Sequence, residues 1–434
     1  MPRLPNVDPH VALMAQIDKL THSFPADLIA NLAKQTGFCL REKKVKAPLF
    51  FWNLILGFGA SMQKTLASLR KRYCIISAKE LAPSSFFDRF TPSLIAFLSA
   101  VLQHLLSTMV RSELPRKILT QFKDVLIIDS TIVRLLDSLA AFFPGTGMPT
   151  GVKINTILSV ATDNLYRMAI YAGKRAEIKV LKLGSWVKDH LLLFDMGYFQ
   201  FRAFERIMQL GGHFITRLHE NADPKIVSVN RSCRGNAIEL VGKNLRDCLS
   251  SLKRGILDVM VEVKATRRSY RGKRTTAPLI LRLVGILNEE TGEYHMYLTD
   301  LLPEAFSVEQ VAELYRGRWC VELLFKELKS RYALDVIRTS KPEIVRALIY
   351  CAMITLEISR RLFVGYRDAM SRAGKVITPD RWAGFFVENA GILLRKILRA
   401  SNIEYSEELL LSLALRETIA PNPQKERLED VWNA

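Results

Sequence analysis

Zinc and disulfide patterns are missing from this sequence. Its six cysteines (Cys39, Cys74, Cys233, Cys248, Cys320 and Cys351) are scattered, with no C-x-x-C pair and no cysteine–histidine cluster. That spacing argues against a structural zinc site and a disulfide framework, and it fits a reducing compartment. The opening MPRLPNVDPH lacks the basic-then-apolar pattern of a secretory leader, so a cytoplasmic location is expected. No internal repeat and no low-complexity tract appears. With 49% hydrophobic and 24% charged residues, the 434-residue chain has the balance of an ordinary folded protein of two to four structural units.

Acidic residues are in short supply: 43 Asp and Glu face 62 Lys and Arg, leaving a net charge of +19. Such an excess points to a polyanionic partner, since each neutralised phosphate releases a counterion. Long apolar runs are scarce as well. The one uncharged stretch of membrane-spanning length, TPSLIAFLSAVLQHLLSTMV (Thr91–Val110), is interrupted by Ser93, Ser99, Gln103, His104, Ser107 and Thr108. A buried core helix is the expectation there, with no membrane partner.

What is present changes character along the chain. Residues 1–118 carry long helix-periodic apolar stretches with proline mainly at segment starts. From Lys123 the pattern turns to strands: DVLIIDS (Asp124–Ser130), then VKINTILSVAT and LYRMAIYAG as a pair about a turn. A helix is predicted over 176–189, a buried strand in HLLLFDMGY (His190–Tyr198), a helix over 199–210 and a strand in HFITRL. This alternation is an α/β layout. In residues 220–299, LDVMVEVKA and PLILRLVGI read as a hairpin. Its tip, TRRSYRGKRTT, crowds Arg267, Arg268, Arg271, Lys273 and Arg274 beside Tyr270, with Lys264 just before them. In so basic a chain this tip is a candidate for phosphate contact. From Pro303 onward the chain reads as helical.

Three acids stand out. VLIID and LLLFD each end an apolar strand in an aspartate, Asp129 and Asp195. A carboxylate just past a buried strand faces a site while the sheet holds it rigid, although strand-terminal Asp is also ordinary turn chemistry. On neighbouring strands the two could converge on one metal ion. The third lies in LYRGRWCVELLFKELKS. Read as one continuous helix at about 100° per residue, this segment puts Tyr315, Arg318, Glu322 and Lys329 within an arc of about 60°. Leu314, Val321, Leu324, Phe325 and Leu328 take the adjacent face as its core contact. Geometry alone would favour an amphipathic helix with ordinary surface charges.

These residues resemble the cut-and-paste DDE transposases of bacterial insertion sequences, specifically the insertion-sequence-four family. Its helix signature is Tyr, two residues, Arg, three residues, Glu, six residues, Lys; Tyr315, Arg318, Glu322 and Lys329 match every position and gap. A chance match somewhere in a chain of this length is on the order of one in a few hundred. The first acid precedes Ser-Thr, as in Asp129-Ser130-Thr131, and the second opens the pattern Asp-x-Gly-Tyr/Phe, as in Asp195-Met196-Gly197-Tyr198. Ser85–Leu98 is similar to the family's N-terminal region, and residues 220–299 stand where the family inserts a mainly β segment.

The resemblance implies an α/β RNase H-like catalytic core with an inserted mainly β subdomain and helical flanks. Its divisions would be a helical DNA-binding region at 1–118, a first core part at 119–219 and the β-rich insertion at 220–299. A second core part at 300–350 and a helical region at 351–434 would follow. It further implies that Asp129, Asp195 and Glu322 are catalytic and hold two Mg²⁺ ions per active site, with Mn²⁺ able to substitute. Asp129 would bridge the ions. Tyr315, Arg318 and Lys329 would grip phosphates beside a base flipped from the transposon end, and Tyr294, with Tyr297 as rival, would receive that base. The partners would be double-stranded transposon-end DNA, target DNA and a second copy of the chain in a bacterial, nucleoid-associated complex. The alternative from another class is a catalytically silent transposase descendant that only binds DNA.

Overall fold

The computed structural model describes residues 7–42, 45–60, 65–108, 121–162, 164–231, 239–249, 252, 254–268, 274–335 and 337–405. They divide into two compact units, one of residues 1–105 with 327–434, the other of residues 106–326.

The first unit is helical. Its N-terminal part contains α1 (Pro9–Ser23), α2 (Ala26–Gln35), α3 (Ala47–Leu54), α4 (Leu66–Ser77), α5 (Pro83–Phe87) and α6 (Pro92–Ser107). Its C-terminal part contains α12 (Pro342–Arg372), α13 (Pro379–Glu388) and α14 (Ala390–Ala400). Proline at the first turn of α1, α3, α5, α12 and α13 starts each helix where its missing N–H costs nothing. The uncharged run from Thr91 has become α6, whose Leu94, Phe97, Leu98, Val101, Leu102 and Leu105 are buried. Among the described residues no helix is long and apolar enough to cross a membrane. Helix α12 spans 31 residues and is buried nearly all round over its first two thirds. It meets the π-turn at Ile55–Gly59, where a Cβ on Gly59 would lie 1.8 Å from Thr355 Oγ1. Only glycine permits that approach.

The second unit is built on a nine-stranded sheet in the order β3-β2-β1-β4-β5-β9-β8-β7-β6. The strands are β1 (Asp124–Arg134), β2 (Gly151–Ser159), β3 (Asn164–Ala172), β4 (His190–Phe194), β5 (His213–Arg217), β6 (Lys225–Val229), β7 (Ile256–Arg268), β8 (Arg274–Leu287) and β9 (Tyr294–Thr299). The first three form an antiparallel meander, and β1, β4 and β5 run parallel. Strand β4 is buried throughout, as the apolar run Leu191–Phe194 in a parallel neighbourhood should be. Helices α7 (Glu177–Val180), α8 (Phe201–Gln209), α9 (Leu245–Leu249), α10 (Val308–Arg316) and α11 (Trp319–Ser330) complete the elements, and the last residues of α11 belong to the first unit.

Residues 225–299 do not form a sheet of their own; β9 pairs with β5 and carries the sheet on through β8, β7 and β6. The β7–β8 hairpin pairs in unbroken register down to Arg268 and Arg274. Arg271 and Lys273 of its tip lie outside the described residues. Where these strands cross the core, Arg282 is 1% exposed and holds Asp258 through two bonds, Nε–Oδ1 of 2.8 Å and Nη2–Oδ2 of 2.7 Å. Its remaining Nη1 donates to the carbonyls of Phe306 (2.7 Å) and Leu301 (3.3 Å). Removing one partner of such a pair strands the other charge. Arg282→Met is therefore expected to cost about 3–5 kcal/mol of stability, and adding Asp258→Leu should recover much of it. Urea unfolding checks this: a single variant no less stable than the double would contradict it.

Three sequence expectations need correction. Asp129 does not end its strand but sits in the middle of an eleven-residue β1, paired with Thr156 of β2. Over 176–189 there is no continuous helix, only α7 and a single 3₁₀ turn at Ser185–Val187. Ile178, Leu181, Leu183 and Trp186 pack against the sheet core from an irregular path, and Gly184 is extended. Burial has overridden local propensity there. Finally, the segment carrying Tyr315, Arg318, Glu322 and Lys329 is two helices. Helix α10 stops at Arg316, Gly317 and Arg318 form a tight turn bonded to Leu314 and Tyr315, and α11 starts at Trp319. Glycine is a poor helix former, and the break sits at the residue whose side chain is pulled into ion pairs.

Candidate active site

The site is set by strand register. Strands β1 and β4 pair in parallel up to Ile128 and Phe194, and β4 and β5 up to Phe194 and Thr216. One residue further along each strand come Asp129, Asp195 and Arg217. Three chemically active side chains thus emerge in a row where the parallel ladder ends. Asp195 has extended backbone and opens the turn Met196–Tyr198. Of the row, Arg217 was not singled out in the sequence, since a terminal arginine in HFITRL carries no motif. Its Nη2 lies 3.4 Å from His295 Nδ1, and it is level with Tyr297 of β9.

Arg318 ties the second acidic element to the first. Its Nη1 lies 3.2 Å from Asp129 Oδ2 and its Nη2 lies 2.7 Å from Glu322 Oε1. Burial works against the Arg318 cation, but the bond to Glu322 and the charges of Asp195 and Asp129 more than offset it. Asp129 is pushed up to about 6, chiefly by burial; the Ser130 N–H and Arg318 pull it down, and Glu177 and Asp195 push it up again. The acid is therefore held among like charges.

Tyr315 is 7% exposed, and its hydroxyl has no hydrogen-bond partner among the described residues. Its ring lies 5.1 Å from that of Tyr297, and burial raises its phenol to about 12, with Arg318 and Arg217 acting in the other direction. A buried hydroxyl without a partner costs stability unless something occupies it. Tyr294 faces elsewhere: its ring packs against the sheet core and its hydroxyl donates to the Arg254 carbonyl. Trp319, unremarked in the sequence, is 59% exposed beside Arg318. Lys329 stands in the last turn of α11, in the part grouped with the helical unit. Arg267, Arg268 and Arg274 are at the far end of the β7–β8 hairpin.

The oxygen-only set Asp129, Asp195 and Glu322 is of the kind that suits a hard divalent cation. Among the described residues, no three His, Cys, Asp or Glu side chains are gathered closely enough to hold one ion. The positive charge between Asp129 and Glu322 is instead the Arg318 guanidinium.

This is a mixed α/β protein with a carboxylate–guanidinium cluster where parallel strands of a large sheet end. Residues 120–358 match the family model described as a transposase DDE domain, and the chain belongs to that family. It is 23% identical, over 78% of this chain and 78% of the other, to the transposase for insertion sequence element IS1151 of Clostridium perfringens. To the transposase for IS231F of Bacillus thuringiensis subsp. israelensis it is 22% identical, over 89% and 88% of the two chains. A cryo-EM structure of the piggyBac transposase synaptic complex with hairpin DNA overlays with a TM-score of 0.45 and 12% identity, covering 98% of this chain and 88% of that one.

Proposed function

We propose that the protein cuts and rejoins DNA at the ends of its own element through an RNase H-like site formed by Asp129, Asp195 and Glu322, in the manner of the insertion-sequence-four family. The observation that carries this is the strand register, which brings Asp129 and Asp195 out side by side, with Glu322 linked to Asp129 through Arg318. Asp129, Asp195 and Glu322 would together hold divalent ions such as Mg²⁺. The ions would stabilise charge on the attacking and leaving oxygens of an in-line displacement.

The chain's own groups do the rest. Arg318, Arg217 and the unpartnered Tyr315 hydroxyl form a donor set for phosphate oxygens. For Arg318 to serve, it must exchange carboxylate partners for a phosphate, which frees the acids at the moment DNA arrives. The basic β7–β8 hairpin would hold flanking DNA, and a second copy of the chain would bring the other end. The test is a labelled duplex carrying the element's terminal repeat, found as matched inverted repeats bordered by a short direct duplication around the gene. Purified protein with Mg²⁺ should yield a nick and then a hairpin on denaturing gels; intact duplex at all metal concentrations would favour the silent DNA-binding reading.

A hairpin requires a flipped base and an aromatic to receive it. Tyr294 is tied by its hydroxyl, and Tyr297 is engaged with Tyr315, whereas the Trp319 indole is open. Stacking is worth about 1–3 kcal/mol per base, so Trp319→Ala should slow hairpin formation by roughly 5- to 150-fold and spare the first nick. Comparison with Tyr294→Ala and Tyr297→Ala on the same duplex decides the matter. A correctly folded Tyr294→Ala variant that alone loses hairpin formation would return the role to Tyr294.

A further inference from the structure

Beyond the last paired residues, Ile128 and Phe194, backbone hydrogen bonds no longer hold β1 and β4 together. Strand β1 continues along β2, while the chain after Asp195 turns away through Met196–Tyr198. The two aspartates therefore stand where their strands part, and something else must set the distance between them.

Glu177, in the first turn of α7, spans that gap. Its Oε1 accepts a 2.5 Å hydrogen bond from Ser130 Oγ, on the residue directly after Asp129. Its Oε2 lies against Gly197, two residues after Asp195, so closely that a Cβ there would sit 1.9 Å from it. Lys153 of β2, 6% exposed, lies 3.5 Å from the same Oε1 and balances the charge. A second tie runs beneath. Asn155 Nδ2 donates to the Tyr198 hydroxyl (2.6 Å) and approaches the Asp129 carbonyl oxygen (3.4 Å). The Asp-x-Gly-Tyr pattern acquires a physical reading from these contacts. Glycine leaves room for the Glu177 carboxylate, and tyrosine reaches the asparagine that supports the first acid.

The geometry points to Glu177 as a positioning residue: it clamps Ser130 to the Gly197 turn and so sets the separation of Asp129 and Asp195. This rests on the assignment of those two aspartates as metal-holding acids. Its Oε1 is shared between Ser130 and Lys153, as befits a support for the neighbouring acids. Such supports behind a metal site typically contribute 10- to 100-fold in metal affinity or activity.

The experiment uses all 434 residues of the chain. Mn²⁺ binding is read by electron paramagnetic resonance without DNA, and single-turnover nicking and end-DNA affinity are measured alongside. Glu177→Ala is expected to weaken Mn²⁺ binding and slow nicking by about 10- to 100-fold, with DNA affinity within about twofold of wild type. Glu177→Gln, which keeps an acceptor for Ser130 and nearly the same shape, should recover part of both losses and guards against a mere folding defect. Gly197→Ala should lose activity by displacing Glu177, and the double variant Glu177→Ala/Gly197→Ala should be no worse than Gly197→Ala alone. Wild-type Mn²⁺ binding in a folded Glu177→Ala protein, or fully additive losses in the double variant, would overturn the clamp. Asp195→Ala is run in parallel: if it still nicks, the assignment of the acids fails instead.

Discussion

Asp129→Ala, Asp195→Ala and Glu322→Ala are each expected to abolish end cleavage while leaving DNA binding nearly intact. A metal's stabilisation of charge in the transition state is worth several kcal/mol, so the loss should be about three orders of magnitude or more. Binding should survive because the phosphate donors are separate groups. Indeed Arg318 divides its guanidinium between Asp129 and Glu322, so removing either acid releases one arm for a phosphate oxygen. Asp129→Ala and Glu322→Ala should therefore bind end DNA at least as tightly as wild type. Strand cleavage on denaturing gels and mobility shift on the same duplex separate the two effects. An Asp195→Ala protein that still cut transposon ends with Mg²⁺ would sink the assignment of the site.

Binding to end DNA should also weaken steeply with salt. The net charge is +19, and contacts to six to ten phosphates would lower affinity by about 10³- to 10⁵-fold between 50 and 200 mM salt. A flat response would mean that the basic excess serves something other than DNA. Neutralising Arg267, Arg268, Arg271, Lys273 and Arg274 together should reduce the slope of log affinity against log salt by up to about 0.9 per lost contact. An unchanged slope would leave the hairpin tip as a solvated loop. Arg274 lies ten residues along β8 from Val284, which pairs with Tyr297 beside Arg217, so cleavage at low salt should survive these changes.

Local pattern and composition reached a long way in this chain. The strands at Asp124, Gly151, Asn164, His190 and His213, the β7–β8 hairpin and the buried face of α6 all follow from apolar periodicity and turn residues, which act over a few residues. Asp129, Asp195 and Glu322 stand out in their apolar segments, and the resemblance to the insertion-sequence-four family marks them as one set, while the charge points to a polyanionic partner. The sequence by itself thus determined most of the strands, the basic character and the candidate acids.

Other features depended on contacts between distant segments. The single helix read through Tyr315–Lys329 breaks at Gly317, next to Arg318, whose side chain pairs with Asp129, 189 residues away, and with Glu322. The helix read over 176–189 yields to packing of Ile178, Leu181 and Leu183 on the sheet. Arg217 and Glu177 bear no motif at all. They enter the site because parallel pairing puts Arg217 level with Asp195, and because the path of α7 brings Glu177 between Ser130 and Gly197. Periodicity encodes which face of an element is buried, but the identity of the side chain it meets is settled only when long-range strand register and close packing bring the two together.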